Sequence, residues 1–219
     1  MSRRRITDGR FQPLPSEFFS RDASEVATDL LGRYLVRQLP KPLGGQRMVA
    51  RIVETEAYLG EGDAASHARN GPVTARSKRL FRPGGQAYVY LIYGMHFCFN
   101  VVTGSRKDGG AVLVRGAAPI ERLERMVELR NRARKNLRPG DIAGGPGKLC
   151  QALAIDDSLD GRPLDDKPLY LAQGEPIADT DIARGPRIGV DYAGEAAQWP
   201  LRFGIAGHPE MSRPILGSR

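Results

Sequence analysis

Glu54 and Glu56 stand two residues apart in the run Val53-Glu54-Thr55-Glu56-Ala57-Tyr58. In an extended strand alternate side chains share a face, so Glu54, Glu56 and Tyr58 point one way and Val53, Thr55 and Ala57 the other. The two Cα atoms would lie roughly 7 Å apart, a spacing that could serve a carboxylate pair in glycosidic bond cleavage. The same pattern fits two glutamates that face water or pair with nearby arginines, so spacing alone leaves both readings open. The next segment adds context. From Ala64 to Lys107 the chain runs 44 residues without an Asp or Glu while carrying seven Lys or Arg, and six of its fifteen aromatics fall there. A surface depleted of negative charge and rich in ring faces suits a nucleic acid. A carboxylate beside it must be paired or have chemical work, because a phosphate backbone repels it.

Other chemistries find little support. His67, His96 and His208 have no partner at helical spacing and no cysteine nearby, so no metal site is expected and no cofactor is implied. Without a dense acidic cluster, divalent-ion nuclease chemistry is disfavoured. Gly144-Gly145-Pro146-Gly147-Lys148-Leu149 is not a nucleotide phosphate loop, since Ile142 stands in place of the first glycine and Leu149 in place of Ser or Thr. It still offers backbone amides and Lys148 to a single phosphate. Cys98 and Cys150 are too few for a disulfide framework and read as buried reduced thiols. No apolar run approaches the roughly 18 residues of a membrane span. A net charge of +8 from 33 Lys plus Arg against 25 Asp plus Glu favours an acidic partner. The expectation is a soluble cytoplasmic protein, nucleoid-associated in a prokaryote and nuclear in a eukaryote. Arg3-Arg4-Arg5 reads as part of a basic arm over residues 1–20, ahead of a single domain at 21–219.

These groups need elements to hold them. Asp22 or Ser24 can cap a helix running to Leu31, with Gly32 as its stop. Arg33 to Leu39 and Met48 to Tyr58 read as an antiparallel strand pair around the turn 40–45. Ala87 to Ile92 and Met95 to Thr103 read as a hairpin whose tip is Tyr93-Gly94, with glycine where positive φ is easiest. Tyr88 reads as a core residue. Tyr93 beside Met95 is harder to bury, and such a wedge is what proteins push between base steps from the minor groove. Ala111 to Arg115 is a further short strand. Pro119 is expected to open a helix with Ile120, Leu123, Met126 and Val127 on one face, and Pro146 another. Leu169–Leu171, Ile188–Val190 and Leu201–Ile205 complete the strands. The fold class is α+β, one mixed domain with a curved antiparallel sheet, surrounding helices and a protruding hairpin.

Several blocks together resemble the alkyladenine (3-methylpurine) DNA glycosylase family: Arg51 through Gly60, Ala65-Ser66-His67, Tyr88 through Met95, and Gly147 through Leu153. The resemblance runs from about Asp22 to Gly207. It implies an enzyme of base excision repair that bends duplex DNA, flips a damaged purine into a pocket and hydrolyses its N-glycosidic bond. By motif position Glu56 is similar to the family's general base and Arg115 to the partner that holds it and the water. Tyr58, His67 and Tyr90 resemble the walls that stack the flipped base, and Asn100 the amide that would clash with a guanine 2-amino group. Tyr93 is similar to the intercalating residue, with Met95 beside it. Thr74, Arg76, Met95, His96 and Lys148 match positions that touch DNA. Glu54 takes a structural role. His96 and Leu80 depart from residues found in some relatives. The implied partner is double-stranded DNA with damaged purines, bound by a monomer. With no lysine at a pocket position, strand-cleaving lyase chemistry is not expected. Two rivals are a non-catalytic nucleic-acid module like the C-terminal domain of a formyltransferase, and a carbohydrate glycosidase using Glu54 and Glu56.

Overall fold

The computed structural model describes residues 9–130, 138 and 140–215. Helix α1 (Ala23–Asp29) begins at Asp22, whose carboxylate accepts the Ser24 amide at 2.8 Å, as the sequence suggests. Strands β1 (Tyr34–Gln38) and β2 (Arg47–Tyr58) pair antiparallel. The hairpin β3 (Ala87–Ile92) and β4 (His96–Thr103) leads to β5 (Gly110–Glu121), which lies beside both β4 and β2. Helices α2 (Leu123–Leu129) and α3 (Pro146–Ala152) follow. Short β6 (Asp165–Asp166) and β7 (Leu169–Ala172) extend the sheet past β1, and β8 (Ile182–Gly185) pairs β9 (Arg202–Ile205). The spatial order is β3-β4-β5-β2-β1-β7-β6, with β9 also docked on β2. Every pairing is antiparallel, and the α+β class with a curled sheet holds. The main core joins α1 through Val26 and Ala27, α2 through Met126 and α3 through Leu149 to sheet residues such as Ile52, Val112 and Val114.

β2 is the axis of the molecule. One edge pairs β5 along its length; the other is shared, β1 taking Arg47–Arg51 and β9 taking Glu54–Glu56. The two glutamates therefore sit inside the sheet, with neighbours on both sides.

Three expectations change. Pro119 does not open a helix: it lies in β5 opposite Ala50, on a stretch where β4 no longer pairs, so its missing N–H faces no strand. The helix starts four residues later, after Arg122 in a left-handed turn at φ 64°. Ile188–Val190 is loop, and the strand in that region is β8. The packed domain also begins before residue 21. Phe11, Leu14 and Phe19 are each at most 2% exposed, and the Leu14 amide donates to the Leu171 carbonyl. Burying each such side chain contributes about 1.5–3 kcal/mol, too much for an arm. The remainder of the expected arm, residues 1–8, lies outside the described residues.

Candidate active site

Two bulges build the floor of the site. In the β2–β5 register Ile52 faces Ala117 and Glu54 faces Gly116, leaving Val53 as an extra residue on β2. Thr55 then faces Val114, leaving Arg115 as an extra residue on β5. A one-residue insertion reverses which side chains meet the core. Before it Met48, Ala50 and Ile52 face the main core; after it Ala57 does, and Thr55 donates to the Ala27 carbonyl of α1 at 2.8 Å. Glu54 and Glu56 are thus turned away from α1, and the bulged Arg115 meets them both.

The carboxylates are fully buried and well partnered. Glu56 Oε1 accepts the Ile188 amide at 2.8 Å and lies 3.3 Å from Arg115 Nη1; its Oε2 accepts the Tyr58 hydroxyl at 2.9 Å. Burial pushes the Glu56 pKa up, and Arg115, the Ile188 amide and Tyr58 pull it back only in part. Burial alone would lower the Arg115 guanidinium, but Glu56 and Glu54 leave it raised and charged. Glu54 Oε1 accepts Arg202 Nη1 at 2.9 Å and the Ser212 hydroxyl at 2.9 Å, while Oε2 accepts the Ser212 amide at 2.6 Å. With Arg115 Nε 3.4 Å away as well, its oxygens are occupied, in keeping with a structural role.

Above this floor lies a cavity of about 360 Å³, within the range of small-molecule pockets. Glu56 is one layer beneath it. The groups that touch Glu56, namely Tyr58, Arg115 and Ile188, line the cavity themselves. Three expected wall residues converge there. Tyr58 carries the Arg187 guanidinium 4.8 Å over its ring. His67 and Tyr90 meet edge to face with centroids 4.8 Å apart, and Arg76 lies 5.3 Å over the Tyr90 ring. Tyr88 is 3% exposed, as a core residue should be, yet its hydroxyl sits 2.8 Å from His67 Nδ1 and fixes that ring. Burial, with Arg76 and Arg69 nearby, lowers His67 to about 4, so it is neutral near pH 7. Asn100 lines the cavity while its amide donates to the Tyr88 carbonyl at 3.2 Å. Leu80 and His96 reach the cavity, and the buried His96 Nδ1 finds no partner among the described residues.

The hairpin tip stands beside the opening. Tyr93 and Gly94 both have positive φ, 54° and 67°, at the centre of a turn closed by the Met95 amide donating to the Ile92 carbonyl at 3.2 Å, and with Ile92 paired to His96 the loop between the strands is Tyr93-Gly94-Met95. Tyr93 is 81% exposed and Met95 68%. Thr74 and Ser77 cap each other, amide to hydroxyl in both directions, and with Arg76 line an adjoining cavity. Lys148 is turned toward the loop before α3, its ammonium donating to the Gly140 carbonyl at 3.0 Å.

Sequence reading missed the supports. Arg187 and Asp63 form a bidentate pair at 2.5 and 2.8 Å with both side chains fully buried. Arg187 also donates to the Ala57 and Ala196 carbonyls, tying the loop that carries the Ile188 amide to the end of β2. Arg202, Ser212 and Tyr192, which lines the cavity with its hydroxyl 3.3 Å from the Ala65 carbonyl, were equally silent. The one available signal is Asp63 itself, the last acid before the acid-free stretch.

Comparison with known proteins identifies the family. A Myxococcus xanthus (strain DK1622) protein provisionally named 3-methyladenine DNA glycosylase is 46% identical over 207 residues, 94% of this chain and 97% of its own. DNA-3-methyladenine glycosylase of Homo sapiens is 44% identical over 212 residues, 93% of this chain and 69% of its own. The mouse protein of that name is 45% identical, over 93% of this chain and 61% of its own. With the methylpurine-DNA glycosylase model matching residues 17–209, the chain belongs to that family.

Proposed function

We propose that the protein removes damaged purines from double-stranded DNA as a monofunctional DNA glycosylase, with Glu56 as general base and Arg115 as the group that keeps it ionised and aligned. One observation carries the reading. A dehydrated carboxylate lies at the floor of an aromatic cavity, held by Arg115 and Tyr58, which line that cavity themselves, and the described lining includes no acidic residue. Removal of water strengthens both the basicity of Glu56 and its attraction to Arg115.

In the chemical step Glu56 takes a proton from water as the water oxygen bonds to C1′. The C1′–N bond breaks and its electron pair passes to the purine. A cationic alkylated purine leaves neutral and needs no protonation, whereas a neutral deaminated or etheno purine leaves as its anion and takes its proton from solvent. His67 is neutral near pH 7 and serves as a wall, not as an acid. Tyr58, His67 and Tyr90 would stack the flipped base, and ring stacking is worth about 1–3 kcal/mol per base. Cationic lesions gain further on electron-rich rings. Asn100 would exclude a guanine 2-amino group. Tyr93 and Met95 would fill the gap left by the flipped nucleotide, with Thr74, Arg76, His96 and Lys148 along the DNA. One chain supplies all of these groups, which supports action as a monomer.

The test uses duplexes carrying methylated, deaminated or etheno purines, with alkali-sensitive abasic sites as the readout. Base release should rise with pH through an inflection above the ordinary carboxylate range, where Glu56 ionises. Glu56→Gln should bind lesion DNA yet fail to release base; equal release by both proteins would defeat the assignment. A borohydride-trapped covalent adduct would overturn the monofunctional reading. The rival non-catalytic module is disfavoured by relatives named as glycosylases.

A further inference from the structure

The segment after β9 crosses the back of the sheet directly behind the glutamates. Its seat is a row of paired residues, Gly116 on β5, Glu54 on β2 and Gly204 on β9. A Cβ on Gly116 would come within 3.2 Å of the Glu210 carbonyl oxygen, and one on Gly204 within 2.5 Å of the Met211 side chain. On either side of Glu54 the seat carries glycine, with no side chain in the segment's way. It is fastened at several points. Glu210 accepts the Gly140 amide at 2.5 Å, and Arg202 donates to the carbonyls of Arg213 and Pro214 at 3.2 and 3.1 Å. At its centre Ser212 gives both its amide and its hydroxyl to Glu54, and Arg115 Nη2 lies 3.4 Å from the same hydroxyl.

We infer that residues 210–215 form a positioning strap: by holding Glu54 and engaging Arg115 at Nη2, Ser212 leaves Nη1 of the shared Arg115 to serve Glu56. The inference rests on Glu56 being the general base and names a positioning residue, Ser212, that acts on it through Glu54 and Arg115. Arg115 touches both carboxylates, so what Glu54 draws from it Glu56 loses. Glu56 is also faced by Tyr58 on its own strand, by Tyr90 on β3 and Cys98 on β4, and by Arg202, its neighbour in register on β9. The strap touches only the Glu54, Arg115 and Arg202 members of this set. Loosening it should therefore make Glu56 harder to ionise, whereas neutralising Glu54 should make it easier.

The opposite signs supply the test. The Glu56 carboxyl is followed by carbon-13 NMR titration in the free protein, assigned by its absence in Glu56→Gln, and the acid limb of base release is measured alongside. Ser212→Ala should move both inflections up by at most about one pH unit, the scale of the charged hydrogen bond that Glu54 loses and passes on only in part through Arg115. At a pH below the inflection, release then falls up to about tenfold. Ser212→Thr should restore the wild-type value. Gly204→Ala, which displaces the strap through Met211 without touching a polar group, should repeat the Ser212→Ala shift, and Glu54→Gln should move both inflections down. A general loosening would shift all of these variants the same way, and either that result or unmoved inflections would overturn the strap. Failure of the wild-type protein to release any base would instead defeat the glycosylase reading, while the NMR titration would still decide whether the strap governs Glu56.

Discussion

The floor of the cavity and its rim are built on opposite plans. At the floor Glu54, Glu56, Asp63, Arg115, Arg187 and Arg202 are all at most 7% exposed, and each is held by more than one partner. At the rim Tyr93 and Met95 stand in water, and Tyr93 occupies a left-handed backbone conformation that costs a non-glycine residue about 1–2 kcal/mol. The floor spends charge burial on fixed geometry. The rim leaves apolar surface and backbone strain unrelieved until a partner covers it. Precision therefore resides where the proposed chemistry would take place, and instability where DNA would be engaged.

The largest expected effect breaks the floor chemically without breaking it structurally. Glu56→Gln should lower base release by about 10²–10⁴-fold, the usual reach of a positioned base. Its folded pKa is raised, so the fold favours the protonated form, and stability from this group is greatest below its unfolded pKa and lost as pH rises through the folded one. A neutral isostere should then melt at the same temperature or higher near pH 7. A lower melting temperature would mean that the carboxylate is needed for the fold.

Arg187→Ala attacks the same region through its scaffold. It strands the buried Asp63 carboxylate, and leaving such a charge unpaired costs about 3–5 kcal/mol. Denaturant unfolding should show that loss. A change under 1 kcal/mol would show that water reaches Asp63.

The rim should respond in the reverse sense. Tyr93→Gly removes the ring and relieves the left-handed strain, so lesion-duplex affinity should fall by about 1–3 kcal/mol in binding titrations while the protein gains about 1 kcal/mol against denaturant. A loss in both would erase the contrast between the two regions. The smallest effect is on pH. His67 is lowered from 6.5 to about 4, so the unfolded chain binds its proton first and stability falls as pH drops through that window. His67→Gln should flatten this part of the melting-temperature profile, measured at constant ionic strength.

Much of this layout was legible because local rules governed it. Asp22 as a helix cap, the two hairpin strands around Tyr93-Gly94 and the start of α3 at Pro146 all follow from residue chemistry within a few positions. Reading failed where a distant partner decided. Pro119 fits a first helical turn equally well as an unpaired strand edge, and only the withdrawal of β4 makes it the latter. Phe11, Leu14 and Phe19 look like tail residues until β7 and the core are there to cover them. Arg187 and Arg202 carry no pattern, since their partners Asp63 and Glu54 lie 124 and 148 residues away.

By itself the sequence determined that a pair of glutamates would lie in a strand beside a cationic, aromatic stretch, because charge spacing and alternation are local properties. Only the tertiary structure decided which way they face and what they touch. An extra residue on each of two neighbouring strands turns Glu54 and Glu56 off the core face and swings Arg115 between them. A bulge exists only in the register of one strand against another, and no single strand encodes it.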